Sequence, residues 1–123
     1  MSERIALVHG IRTPFSKAGG SLKDYSADQL GTLCLRELMI QSPIDYAEVD
    51  EVIIGNVAQP ANAANIARVI ALKSGFPDAT SAFTVHRNCA SGMESITTGM
   101  AKLLAGQADV IVAGGTESMS NIP

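Results

Sequence analysis

The chain has 123 residues, of which 46 % are apolar and 17 % charged, with a formal net charge of −3. That length fits one domain over residues 1–123. The lack of a basic cluster disfavours nucleic acid as a partner, and no apolar run approaches a membrane span.

The N-terminus, Met1-Ser2-Glu3-Arg4, leads straight into Ile5-Ala6-Leu7-Val8. This run is too short for a signal-peptide core, which predicts a cytoplasmic protein, and it reads as a first strand buried on both faces. A polar, Gly-containing loop follows from Lys17 to Lys23. Ser26 then opens a helix, with Gln29 three residues on as a capping box. Leu30, Leu33, Cys34 and Leu38 recur at helical spacing and are expected to share its inner face, so Cys34 reads as a packed core thiol. Pro43 ends that helix. Val52-Ile53-Ile54 is the second strand, continuous and apolar as in the interior of a parallel sheet. A second helix runs from near Asn65 to Lys73, with Ile66, Val69 and Ile70 inward, and Gly75 and Pro77 stop it. Ser81 to Arg87 reads as the third strand. The helix from Gly92 to Ala105 carries Met93, Ile96, Met100, Leu103 and Leu104 on one face and mostly small residues elsewhere, and Gly106 follows it. Val110-Ile111-Val112 is the fourth strand. The order β-α-β-α-β-α-β implies a layered α/β domain with a mainly parallel sheet.

Cys89 sits between the third strand and the third helix. Ser91 and Glu94 bracket that junction at capping-box spacing, with Gly92 between them. A cysteine there faces the positive end of the helix dipole, a field that favours the nucleophilic thiolate. Strand, nucleophile, helix is the layout of an exposed attacking group. A small buried thiol is the competing reading of the same residue. His86 lies three residues away, and in an extended strand such residues point to opposite faces, so it makes a poor base for Cys89. It is read as a histidine satisfied by packing or a hydrogen bond, as is His9. No metal site is expected, because the two histidines and Cys89 show no ligand spacing such as Cys-x-x-Cys. Two cysteines do not make a disulfide framework, and free thiols are expected in reducing cytosol.

Asn88-Cys89-Ala90-Ser91-Gly92-Met93-Glu94-Ser95-Ile96 resembles the nucleophile segment of the thiolases, enzymes that cleave or form 3-ketoacyl-CoA. Three more segments resemble that family in the same order. They are Arg12-Thr13-Pro14-Phe15 with Gly19-Gly20-Ser21-Leu22, then Gly55-Asn56-Val57 with Asn65-Ile66-Ala67-Arg68, and then Ala108-Asp109-Val110 through Ala113-Gly114-Gly115-Thr116-Glu117-Ser118-Met119-Ser120. Together they cover nearly all of the chain. His86 stands where thiolases usually carry a small polar residue such as Asn.

The resemblance implies a thiolase-like layered α/β domain, mainly parallel here and mixed in the full fold, that makes up most of the first half of a two-half protein. It implies an acyltransferase in which Cys89 attacks an acyl-CoA thioester and becomes acylated. A histidine activates that cysteine in the family, and a second cysteine removes the α proton of acetyl-CoA. The Gly-His-Pro and Cys-x-Gly segments that carry them do not occur here, and the isolated chain is expected to be inactive. Acyl-CoA and acetyl-CoA are the implied substrates, with no cofactor or metal, in fatty-acid metabolism, and a homo-oligomer is the implied assembly. The backbone N–H of Cys89 is expected to line an oxyanion site, and Glu117 to hold loops by hydrogen bonds. In thiolases the helix after the nucleophile lies in a central helical layer between the two halves. The alternative is a stand-alone thiolase-like domain with a structural or interaction role. A ketoacyl synthase would share the fold and the cysteine, but Gly114-Gly115-Thr116-Glu117-Ser118-Met119-Ser120 favours the thiolase branch.

Overall fold

The computed structural model describes residues 3–122. Three strands form one parallel sheet: β1 (Glu51–Gly55), β2 (Ser81–Val85) and β3 (Ile111–Gly115), in the order β2-β1-β3. Glu51 registers with Ser81 on one side and with Ile111 on the other, so the central strand is hydrogen-bonded along both edges. Three helices connect and cover it: α1 (Ala27–Gln41), α2 (Ile66–Ser74) and α3 (Ser91–Leu104). Alternate residues of β1 face opposite sides. Val52 and Ile54 join Leu35, Ile66, Ile70 and Phe76 in the core beneath α1 and α2, while Ile53 approaches the α3 side near Gly99. The continuous apolar run of β1 is therefore buried on both faces, and the architecture is a layered α/β fold.

The sequence predicts a first strand at Ile5–Val8, and the structure does not contain it. No helix or strand occurs among described residues before Ala27, and Leu7 is 92 % exposed. Among the described residues the outer edges of β2 and β3 pair with no further strand. Four residues then gain too little burial to offset the entropy of ordering them.

The inner face of α1 also differs from the expectation. Ala27, Asp28, Leu35 and Met39 are buried, whereas Leu33 is exposed and Leu30, Cys34 and Leu38 are half-buried. Gly31 accounts for part of the rotation: a Cβ there would collide with the Ile70 side chain, so α1 meets α2 closely at the glycine notch, with Leu35 rather than Leu33 turned into the core. The cap at the start of α1 is as expected, with the Ser26 N–H donating to Gln29 Oε1 at 2.9 Å. Gly75, at φ 103°, closes α2 in the left-handed conformation that glycine adopts without strain. Helix α3 buries Ser91, Ser95 and Gly99 against the sheet, and its apolar stripe faces outward.

Candidate active site

The turn from β2 into α3 carries Cys89. Asn88 adopts φ 47°, a left-handed conformation that Asn tolerates better than most residues, and the chain reverses there before α3 begins. The Ser91 hydroxyl staples the turn. It accepts from Arg87 N–H and donates to the Asn88 carbonyl, each at 2.7 Å. With both bonds made, the hydroxyl has no role as a helix cap. The capping box expected from Ser91 and Glu94 does not form, and Ala90 is the N-cap residue. The Glu94 carboxylate turns instead to the Arg87 guanidinium at 2.5 Å and to the Thr98 hydroxyl, and these two partners hold it below the usual carboxylate range. Cys89 is exposed at this positive helix end, which removes the buried-thiol reading.

Cys89 opens onto a cleft of ≈ 490 Å³ at the carboxyl ends of β1 and β3. Open parallel sheets bind ligands at such strand ends. The walls come from Gly55 and Val57 after β1, from the Asn88–Gly92 turn, and from Gly115–Glu117 with Met119 after β3. Close backbone approach shapes it. A Cβ on Gly55 would collide with the Ser91 carbonyl, and one on Gly115 would lie 3.2 Å from Gly92 Cα. Only glycine lets the first turn of α3 sit this low over the sheet.

Glu117 ties two of these walls together. Its Oε2 accepts Val57 N–H at 2.7 Å, and its Oε1 accepts Ala58 N–H at 3.2 Å and Asn56 Nδ2 at 3.1 Å. Asn56, only 2 % exposed, also donates to the Thr116 carbonyl at 2.7 Å, and its Oδ1 is left without a partner. The loop-holding role expected of Glu117 is what these bonds describe. No local pattern in the sequence marks Asn56 as a site residue, because its partners lie about sixty residues away in the chain.

The histidines do not serve the thiol directly. His86 is exposed, and its Nδ1 accepts Asn88 N–H at 3.3 Å, while His9 Nε2 meets Gln41 Oε1 at 3.0 Å. Cys34 borders a separate cleft of ≈ 460 Å³ on the other side of the Gly115–Met119 turn. Burial pushes its thiol up, and its S–H points to the Ile11 carbonyl at 3.7 Å. Among the described residues no group of three or more His, Cys, Asp or Glu is placed to hold a metal ion, and no helix is long and apolar enough to cross a membrane.

Known proteins resemble this arrangement in sequence and in shape. Residues 5–123 match the family pattern described as "Thiolase, N-terminal domain". A "Probable acetyl-CoA acyltransferase" of Staphylococcus epidermidis is 41 % identical over 120 residues, which is 98 % of this chain and 30 % of that protein. The chain thus spans under a third of the length of the curated relatives it matches. The crystal structure of the Bacillus anthracis acetyl-CoA acetyltransferase is 39 % identical with a TM-score of 0.84, covering 88 % of this chain and 27 % of that one. The Acat5 thiolase from Ascaris suum, solved in complex with coenzyme A, is 33 % identical with a TM-score of 0.86, covering 90 % of this chain and 29 % of that one. With the family pattern covering nearly the whole sequence and the strand-end cleft present in the structure, the chain belongs to the thiolase family.

Proposed function

We propose that Cys89 is the acyl acceptor in a thiolase reaction that transfers acyl groups between acyl-CoA and acetyl-CoA. The observation that carries this reading is the placement of an exposed cysteine at the N-terminal end of α3, over the strand-end cleft. The Cys89 thiolate attacks the thioester carbonyl, an Sγ–C bond forms, the C–S bond to coenzyme A breaks, and the released thiolate takes up a proton. The positive end of α3 and the backbone N–H of Cys89 face the charge that develops on the carbonyl oxygen. Coenzyme A thioesters enter as substrates, and the chemistry asks for no resident cofactor. Two free thiols fit a reducing, cytoplasmic setting, and the acyl-transfer reading carries with it a role in fatty-acid metabolism.

The 123 residues supply the acceptor and little else. Neither histidine hydrogen-bonds to Cys89, His86 meeting the Asn88 N–H and His9 the Gln41 side chain, and the other cysteine borders a different cleft. Turnover needs an activating base and a second thiol near Cys89, so the isolated chain forms an acyl-enzyme slowly and does not cycle. Incubation with acetyl-CoA, followed by intact-mass and peptide analysis, tests the acylation, and acetoacetyl-CoA with free coenzyme A tests turnover. One acyl group on Cys89, lost in Cys89→Ala and kept in Cys34→Ala, is the expected outcome, with no thiolysis above background. Acylation that survives Cys89→Ala would overturn the assignment.

A further inference from the structure

We propose that Glu117 is a positioning residue for Cys89, acting through the turn that follows β1. This deepens the acyl-transfer reading and rests on Cys89 being its nucleophile. Among the described residues no Lys or Arg pairs with Glu117, whereas Asp28, Glu51 and Glu94 each have a cationic partner. Its charge is met only by N–H donors: the backbone of Val57 and Ala58 and the side chain of Asn56. An ionised carboxylate accepting three such bonds fixes the path of residues 56–58 more firmly than neutral acceptors would. That path begins at Gly55, whose backbone lies directly under the Ser91 carbonyl, two residues after Cys89. Asn56 continues the bracket to the Thr116 carbonyl, and the Thr116 N–H returns to the Gly55 carbonyl at 3.1 Å. The ends of β1 and β3 are thereby locked together beneath the first turn of α3. The height and tilt of that turn decide where the positive helix end points relative to Cys89 Sγ.

The bracket works by geometry, and its charge acts in the opposite direction. Removing a carboxylate from the cleft wall would by itself favour the thiolate of a neighbouring cysteine and speed its reaction. Releasing residues 56–58 would let the α3 turn shift away from Cys89 and slow it. The sign of the effect therefore separates the two.

The test uses the full 123-residue chain with Glu117→Gln and Glu117→Ala. Gln is nearly isosteric and keeps one acceptor oxygen, but it turns an NH₂ toward the backbone donors, so it opens the bracket with the least risk to folding. Circular dichroism checks the fold of each. Iodoacetamide labelling of Cys89 is timed against Cys34 in the same molecule, and amide exchange is followed at Val57 and Ala58. In both variants exchange at these two amides should quicken, and Cys89 labelling should slow on the order of tenfold relative to Cys34. Unchanged Cys89 labelling with exposed Val57 and Ala58 amides would mean that the bracket is only structural, and faster labelling would mean that Glu117 acts through its charge; either overturns the proposal. Iodoacetamide takes any accessible thiol, so failure of acyl transfer from a CoA thioester would leave this result readable.

Discussion

The Cys34 thiol is half-buried on α1 and bonded to the Ile11 carbonyl, whereas Cys89 stands exposed at the positive end of α3. Iodoacetamide should therefore label Cys89 first, as mass spectrometry of a partly alkylated sample would read directly. Equal labelling would contradict the roles given to the two residues. Asp28 supplies a second test at this scale. It is 3 % exposed, and burial alone would push its carboxyl up. Its bonds to the Ser26 hydroxyl at 2.7 Å and to Lys73 Nζ at 3.2 Å outweigh that and hold it below the usual carboxylate range. A carboxyl held low when folded contributes stability above its unfolded pKa, and this is lost as the pH falls through the lower folded value. Lys73 is largely exposed, so solvent screens the pair, and Lys73→Met should cost only about 1–2 kcal/mol at pH 7. Urea unfolding at pH 7 and at pH 2 should show that difference shrinking at the lower pH. A difference that persisted there would place the effect in the lysine stem instead.

Among the elements, α3 shows why some of the site was legible and some was not. The strand, the nucleophile and the helix are contiguous in sequence, so local chemistry placed Cys89 at their junction, as the structure does. The start of α3 differs in detail from the sequence expectation, because Ser91 and Glu94 fit a capping box by spacing, yet Arg87 and Asn88 in the preceding turn claim both side chains. The buried face of α1 differs from the one its periodicity predicts, because the notch at Gly31, set by Ile70 from another helix, carries no signal in the periodicity of α1 itself. The absent first strand is the same lesson for a sheet: apolar runs show what could be buried, and neighbours decide whether it is. The glycine contacts beneath α3 give a test at this scale. Gly55→Ala places a methyl against the Ser91 carbonyl, backbone that cannot swing aside. The substitution should cost about 1–3 kcal/mol by overpacking and slow Cys89 alkylation as the turn is lifted. Gly92→Ala meets nothing within 4 Å and is the matched control, expected to change stability little. Equal melting temperatures for the two variants would show that α3 does not depend on the close approach at Gly55.

The whole molecule exposes more surface than its mass predicts. Its accessible area is 7611 Å² at 12.8 kDa, against about 6,300 Å² for a compact monomer of that size. The excess of about 1,300 Å² is larger than the roughly 800 Å² that one partner contributes to a standard interface. Part of it is the irregular N-terminal stretch with Leu7 and Phe15 outward, and part is α3. The helix packs its small residues, Ser91, Ser95 and Gly99, against the sheet and turns Met93, Ile96, Met100 and Leu104 to solvent. These four recur at spacings of three and four, so they form one continuous apolar stripe along the helix. These side chains are 39–63 % exposed, so each forgoes part of the roughly 1.5–3 kcal/mol that full burial gives, and large apolar patches of this kind find partners. The isolated chain should therefore self-associate at micromolar concentration, which sedimentation velocity would show as a mass above 12.8 kDa. Met100→Lys with Leu104→Glu puts charge on the exposed stripe without touching the buried face, and it should restore the monomer while leaving the circular dichroism spectrum unchanged. A parent chain that sediments as a monomer would show that the stripe is tolerated in water, and association that survives the double substitution would move the contact to the N-terminal stretch.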